Sequence, residues 1–309
     1  MKFVCKKLGT MIVTLLLVSC IAFFTFQIIP GDAVTTILGT NATPEREAQL
    51  RTELGLDKPV GIRYINWITS FIKGDLGTSY QYDMPVSALL SDKIPVTVTL
   101  GLMSFAIIVL VSIPLGVLGA RFGKKRIGLF EICNQIAMAI PSFVLGILIV
   151  LIFGLILNFF VPGRYVNYRE SFFGFLKYLI APAIAIAIPK IAMVVKFLKN
   201  EIDNQMDSDY VRTARSKGNT DTAILFKHVL KNSLMPVITT LGMIVAEILA
   251  GSLVVEQVFN LPGLGRALIS GIGARDYPVV QAIIMYMAVI IIGINILVDI
   301  TYKIIDPRS

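Results

Sequence analysis

Charge and reactive side chains are what this chain has least of. One histidine (His228) and three widely spaced cysteines (Cys5, Cys20, Cys133) stand in 309 residues. That supply excludes a disulfide scaffold and argues against a His/Cys metal centre, so no metal ligands are expected. Charged residues make up 16% of the chain, where a soluble domain carries about 25%. This excludes an ordinary cytosolic enzyme, and the apolar content excludes a disordered chain. A phosphate-binding loop is missing too. Arg121-Phe122-Gly123-Lys124-Lys125 contains a Gly-Lys pair, but no Ser or Thr follows it and position 118 is Leu. The chain is therefore not expected to bind ATP itself. Nucleophile-elbow and zinc-protease patterns are also absent, and no catalytic residue is assigned. What remains is 55% apolar with a mean hydropathy of +0.77, the composition of a polytopic membrane protein.

A helix needs about 20 mostly apolar residues to cross the hydrocarbon core. Six stretches qualify, predicting an all-α integral membrane fold over residues 1–309 as one transmembrane domain. They run from Leu8 to Ile29, from Val96 to Ala120, within the charge-free interval between Glu131 and Arg164, from Tyr178 to Val195, from Leu234 to Val255, and from Val279 to Val298. Leu17-Val18-Ser19-Cys20 looks like a lipoprotein processing site, but Ile21-Ala22-Phe23-Phe24 continues the apolar run, so the first stretch reads as a span.

Orientation follows from the distribution of Lys and Arg. With the N-terminus inside, segments 1–7, 121–131, 190–231 and 299–309 are cytosolic and hold 17 basic residues, against 11 in 30–93, 161–177 and 251–278. Both termini are placed inside. The net charge of +8 then reads as a topology signal, and nucleic acid is not an expected partner. The outer loop 30–93 carries a helical pattern from Pro44 to Leu54, with Thr43 as N-cap and Glu45 and Glu47 in the first turn. Turn chemistry follows at Leu56-Asp57-Lys58-Pro59 and at Lys73-Gly74-Asp75-Leu76-Gly77.

The inner segment 196–233 carries the most information. Asp209-Tyr210-Val211-Arg212-Thr213-Ala214-Arg215-Ser216-Lys217-Gly218 reads as a short polar helix ended by Gly. A second amphipathic helix follows, with Phe226, Val229 and Leu230 on one face and Lys227, His228 and Lys231 away from it. Such an element can dock into a groove on a cytosolic partner. Equally, it can be a solvated basic loop that serves only the positive-inside rule.

Ala214 four residues before Gly218, followed by Leu234-Met235-Pro236, resembles the coupling motif of permease subunits of ATP-binding-cassette importers. Arg212 and Thr213 replace the Glu and first Ala of the general motif, as in the dipeptide/oligopeptide/nickel branch. The resemblance extends along the chain through Pro30-Gly31-Asp32, Leu54-Gly55-Leu56-Asp57-Lys58-Pro59, Gly74-Asp75-Leu76-Gly77-Thr78-Ser79 and Ile94-Pro95-Val96-Thr97. It continues at Val258-Phe259-Asn260-Leu261-Pro262-Gly263-Leu264-Gly265-Arg266, Ala274-Arg275-Asp276-Tyr277-Pro278 and Asp306-Pro307-Arg308. The long loop after the first span resembles the first of two such permeases.

The resemblance implies a type I importer in the bacterial inner membrane. It pairs this chain with a second homologous permease, two ATPase subunits that hold ATP and Mg, and an extracytoplasmic substrate-binding protein. Asp209, Tyr210, Val211, Arg212, Thr213, Ala214, Lys217 and Gly218 would then couple to the ATPase. Gly74, Asp75, Leu76, Gly77, Pro262, Gly263, Gly265, Arg275, Asp276 and Tyr277 would face the binding protein. Di- and oligopeptides are the expected cargo, with nickel or metal chelates as the alternative. The Gly and Pro of 260–266 also fit a tight re-entrant turn beside the bilayer.

Two charges interrupt the spans. Glu247 is expected to face the pathway or the companion permease, and Lys190 to snorkel to the inner surface beside Pro189. Ala181/Ala185 and Ala183/Ala187 read as packing positions. A stand-alone secondary transporter is the rival from another class, but it would need coupling residues at mid-membrane and repeated halves, and Glu247 alone is a thin basis for it.

Overall fold

The computed structural model describes residues 2–28, 33–38, 43–53, 55–121 and 124–305. Pro30-Gly31-Asp32, Leu54, Phe122-Gly123 and Asp306-Pro307-Arg308 lie outside the described residues, as do the side chains of Cys5, Lys124, Lys125 and Arg126. Helices account for nearly all of the rest: α1 (Lys2–Ile28), α2 (Ala33–Leu38), α3 (Pro44–Glu53), α4 (Val60–Ile72), α5 (Val86–Ser91), α6 (Ile94–Arg121), α7 (Lys124–Ala139), α8 (Ser142–Ile149), α9 (Phe172–Met206), α10 (Asp209–Ser216), α11 (Asp221–Ile224), α12 (Leu230–Val258), α13 (Leu264–Ala274) and α14 (Tyr277–Ile305). No strand forms among the described residues, and one isolated bridge joins Thr78 to Pro85. Without water in the hydrocarbon core every backbone donor needs an internal partner, which a helix supplies along its length.

Five helical stretches are long and apolar enough to cross a membrane: Gly9–Ile28, Val86–Arg121, Phe172–Met206, Asp221–Val258 and Tyr277–Val298. The interval expected as the third span is a bent pair, Gly128–Ala139 and Ser142–Ile156, whose axes meet at 95°. Six spans result if the pair is one crossing. The break has a local cause. Pro141 disfavours helical backbone at Ile140 and itself adopts an extended conformation (φ −60, ψ 144), so α8 starts in a new direction. The spans also outrun their apolar cores. α9 continues past the exposed Lys196 to Met206, and Lys199 on that extension is buried between Glu131 (3.2 Å) and Asp203 (2.9 Å).

The chain divides into two compact units. The first comprises Met1–Thr97 with Pro262–Ile292, the second Val98–Leu261 with Gly293–Ser309. In the first, α4 lies on α1 through an aromatic cluster. Phe23 contacts Tyr64 (5.4 Å between centroids) and Trp67 (5.7 Å), and Ser19 Oγ is 2.8 Å from the Tyr64 hydroxyl. Thr43 caps α3 as expected, its Oγ1 accepting from Arg46 N–H (3.4 Å).

In the second unit α9 packs against α7, α8 and α12. Ala183, Ala185 and Ala187 are fully buried with Ile186, Leu198, Ile244 and Ile248, so the small residues serve close helix approach. Asn134 Nδ2 donates to the Ala192 carbonyl (2.8 Å), tying α7 to α9. Gly116 lets α6 meet Leu198 on α9, since a Cβ there would stand 2.8 Å from Leu198 Cδ2 and 3.1 Å from its Cβ. Gly116→Ile should therefore destabilise this unit by about 1–3 kcal/mol through overpacking. Thermal unfolding in detergent checks this, and Leu198→Ala in the same chain should recover most of the loss.

Candidate functional site

α10 follows α9 after only Asp207 and Ser208. Val211 and Ala214, at i and i+3, are buried and hold the helix on its own unit. Asp209, Tyr210, Arg212, Thr213 and Lys217 are exposed. The Asp209 and Arg212 side chains, 98% and 80% exposed, stand 3.6 Å apart. Tyr210 is braced by its hydroxyl, which donates to Gln205 Oε1 (2.7 Å). The predicted coupling residues thus divide into an outward set and a seating pair.

Gly218 ends α10 in the left-handed region (φ +82). Its N–H donates to the Arg215 carbonyl (2.9 Å), and Asn219 donates to the Ala214 carbonyl from both N–H (3.3 Å) and Nδ2 (3.1 Å). This is a Schellman-type stop, which favours glycine at that position. Thr220 then opens α11, its Oγ1 accepting from Ala223 N–H (3.3 Å). Arg215 Nε donates to Asp221 Oδ1 (2.9 Å) across the turn. The result is a tight, doubly pinned helical hairpin.

The second helix departs from the expected phase. Ile224, Leu225 and Val229 are buried, while Phe226 is 52% exposed beside Lys227. The reason is a π-helical turn over Leu225–Val229, which rotates the helix faces relative to a regular α-helix.

In the first unit, motifs far apart in sequence converge on one carboxylate. Asp276 is buried and accepts from Ser79 Oγ–H, from Tyr80 N–H (3.0 Å, at Oδ1) and from Gln81 N–H (3.3 Å, at Oδ2). Ser79 Oγ in turn accepts from Tyr82 N–H (3.1 Å). Upstream, Asp75 Oδ1 accepts from Gly77 N–H (2.9 Å), and Gly74 and Gly77 take positive φ to form the turn. On the other side Arg275 ends α13 in the left-handed region (φ 56), and Asp276 N–H donates to the Gly271 carbonyl (2.9 Å). Thr97 Oγ1 accepts from Leu264 N–H at the start of α13 (2.9 Å).

The outer candidates therefore differ in availability. Gly74, Asp75 and Gly77 are exposed; Leu76, Pro262, Arg275 and Tyr277 are half-buried; Gly263, Gly265 and Asp276 are buried and act as framework. Ser79, Tyr80 and Gln81 were missed as partners of Asp276, and only the Ser that closes the Gly74–Ser79 motif hinted at them. Burial pushes the Tyr80 hydroxyl up to about 12, with Asp276 and Tyr277 adding to the rise and the Arg63 cation opposing it. A cleft of about 390 Å³ borders this clamp, with Arg63, Trp67, Asp75, Tyr80 and Tyr277 in its wall.

Within the spans, Lys190 does not snorkel. Its Nζ donates to Glu247 Oε2, joining α9 to α12. An unpaired charge within a span would be costly, and the opposite charge on the neighbouring helix offsets part of that cost.

Residues 112–309 match the family described as binding-protein-dependent transport system inner membrane component, and residues 1–101 match the N-terminal region of the same class of membrane component. The chain belongs to this family. It is a multi-pass inner membrane permease subunit of an ATP-binding-cassette importer. It is 38% identical, over 98% of its length and 97% of the relative's, to a Brucella suis protein named as a peptide transport system permease. Oligopeptide transport system permease protein AppB of Bacillus subtilis is 33% identical over 95% of this chain and 94% of its own. Dipeptide transport system permease protein DppB of Escherichia coli is 32% identical over 100% and 98%.

The permease fold is also that of a chain in the MetNI methionine ABC transporter, solved in inward facing conformations. The TM-score is 0.58 at 16% identity, covering 71% of this chain and 96% of that one. In the permease, Asp276→Ala should speed hydrogen exchange at the Tyr80 and Gln81 amides by about tenfold or more, since each loses a charged acceptor. Exchange in α10 serves as the control and should not change.

Proposed function

We propose that this permease forms half of the translocation pathway of an importer for di- and oligopeptides. Similarity along essentially the whole chain to permeases named for dipeptide and oligopeptide transport carries this reading. A second permease supplies the other half. Two partner ATPases bind ATP and Mg and hydrolyse the nucleotide, and this chain contributes no catalytic group. An extracytoplasmic binding protein delivers the peptide. Both termini are cytosolic, with 17 of the 28 Lys and Arg on that side.

In this reading the hairpin of α10 and α11 seats in the ATPase. Asp209, Tyr210, Arg212, Thr213 and Lys217 make contact, Val211 and Ala214 fix α10 to its unit, and Gly218 sets the turn. The exposed Phe226 is a further contact candidate. Outside, the turn at Gly74, Asp75, Leu76 and Gly77 together with Pro262, Arg275 and Tyr277 presents the surface for the binding protein, braced from within by Gly263, Gly265 and Asp276. Glu247 belongs to the pathway or its border with the companion.

Copurification of the tagged chain with a second permease and ATPases, and ATPase stimulation by peptide-loaded binding protein, tests the whole reading. Gly218 gives a sharper test of the hairpin. A Cβ at Gly218 would meet nothing within 4 Å, so a substitution acts through backbone angle alone. Gly218→Val should cost about 1–2 kcal/mol of local strain and abolish most peptide-stimulated ATPase activity without preventing membrane insertion. Gly218→Asn, which tolerates the left-handed region, should keep most of that activity. Full stimulation in the Val variant would remove the hairpin from the coupling route.

A further inference from the structure

The Lys190–Glu247 pair joins two membrane-spanning helices, yet it is not sealed between them. The Lys190 side chain is 25% exposed and that of Glu247 45% exposed. On α12 the exposed residues Met243, Glu247, Ala250 and Val254 recur at helical spacing, so Glu247 stands in the middle of an outward stripe. Hydrocarbon cannot cover that stripe cheaply, because an ion pair facing lipid keeps most of its desolvation penalty on the open side. Water or a polar partner must therefore lie against it.

The chemistry of the pair narrows the partner. A lone anion meets Glu247 as well as Lys190, and a lone cation meets the reverse conflict. A zwitterion meets none: its ammonium pairs with the Glu247 carboxylate and its carboxylate with the Lys190 ammonium. An extended dipeptide spans about 7 Å, enough to reach both groups once they separate. The exchange replaces one internal ion pair with two intermolecular ones, so neither charge is left bare once the peptide is held. The resulting site is weak, as a transport path requires, since cargo must leave as readily as it enters.

Resting on the peptide-importer reading above, we propose that Lys190 and Glu247 form a substrate-exchange site in the pathway, which opens to take the two charged ends of a short peptide.

The test uses the complete importer in proteoliposomes, with binding protein loaded with radiolabelled alanyl-alanine, and reads uptake per ATP hydrolysed. Lys190→Met with Glu247→Met removes both charges together and so leaves no orphaned ion. This variant is expected to assemble, with uptake per ATP lowered about tenfold. Lys190→Glu with Glu247→Lys restores a pair of opposite sign and should recover a large part of the uptake. Unchanged uptake per ATP in the neutral variant overturns the proposal. So does failure of the neutral variant to assemble while the reversed pair assembles, because the pair is then a structural bolt or a companion contact. A wild-type complex that contains all subunits and hydrolyses ATP but carries no dipeptide overturns the peptide reading, and this site with it.

Discussion

The bilayer core holds no water, and the helices of this permease are organised around that fact. Every polar group placed there needs a partner within the protein. The backbone meets the demand through long helices, and several side-chain hydroxyls meet it locally. Ser104 donates to the Leu100 carbonyl, Thr240 to Pro236 and Ser252 to Leu249, each on its own helix. Between helices, Asn134 reaches the Ala192 carbonyl and Lys190 reaches Glu247. Irregular backbone, with its positive φ angles and tight turns, is left to the ends of the helices. That is also where partners can be met.

The same constraint connects the hairpin to the spans. α9 runs into α10 through two residues, and α11 passes by way of the π turn into α12. The helices that feed and leave the hairpin are thus the two joined by the Lys190–Glu247 pair. Val211 and Ala214 seat α10, and the Gly218 turn is pinned by Arg215 and Asp221. In the proposed reading a hairpin docked on the ATPase is linked directly to α9 and α12, the helices that carry the proposed exchange site. In the other unit the Asp276 clamp does the corresponding work for the loop it anchors, holding three donors from residues 79–81 against the end of α13.

Much of this was legible in the sequence, because hydropathy, cap residues and glycine stops act locally. The spans, the Thr43 cap and the Gly218 break all sit where their residues imply. Legibility failed where the cause was non-local or where periodicity changed. Mean hydropathy runs smoothly across Ile140-Pro141, so the bend there was hidden by the apolar residues around it, although the Ile-Pro step was its signal. Phe226 points outward because a π turn shifts the helix phase, which a 3.6-residue pattern does not anticipate. Glu247 and Lys190 lie 57 positions apart and Ser79 and Asp276 lie 197 apart, and no spacing rule joins them. The Gly74–Ser79 and Ala274–Pro278 motifs read as separate turns, and their meeting at Asp276 is visible only in the fold. The cargo is written least of all in this chain, and the peptide proposal rests on the names of its relatives.

In the proposed topology the α10 hairpin is cytosolic and the Asp276-braced loop is extracytoplasmic. Single cysteines at the exposed positions Ser216 and Gln81, in a chain whose Cys5, Cys20 and Cys133 are replaced by Ser, report on both sides. A membrane-impermeant maleimide added to intact cells stripped of their outer membrane should label Gln81→Cys and spare Ser216→Cys until the inner membrane is opened. Labelling of both positions before opening, or of Ser216→Cys alone, would contradict the account.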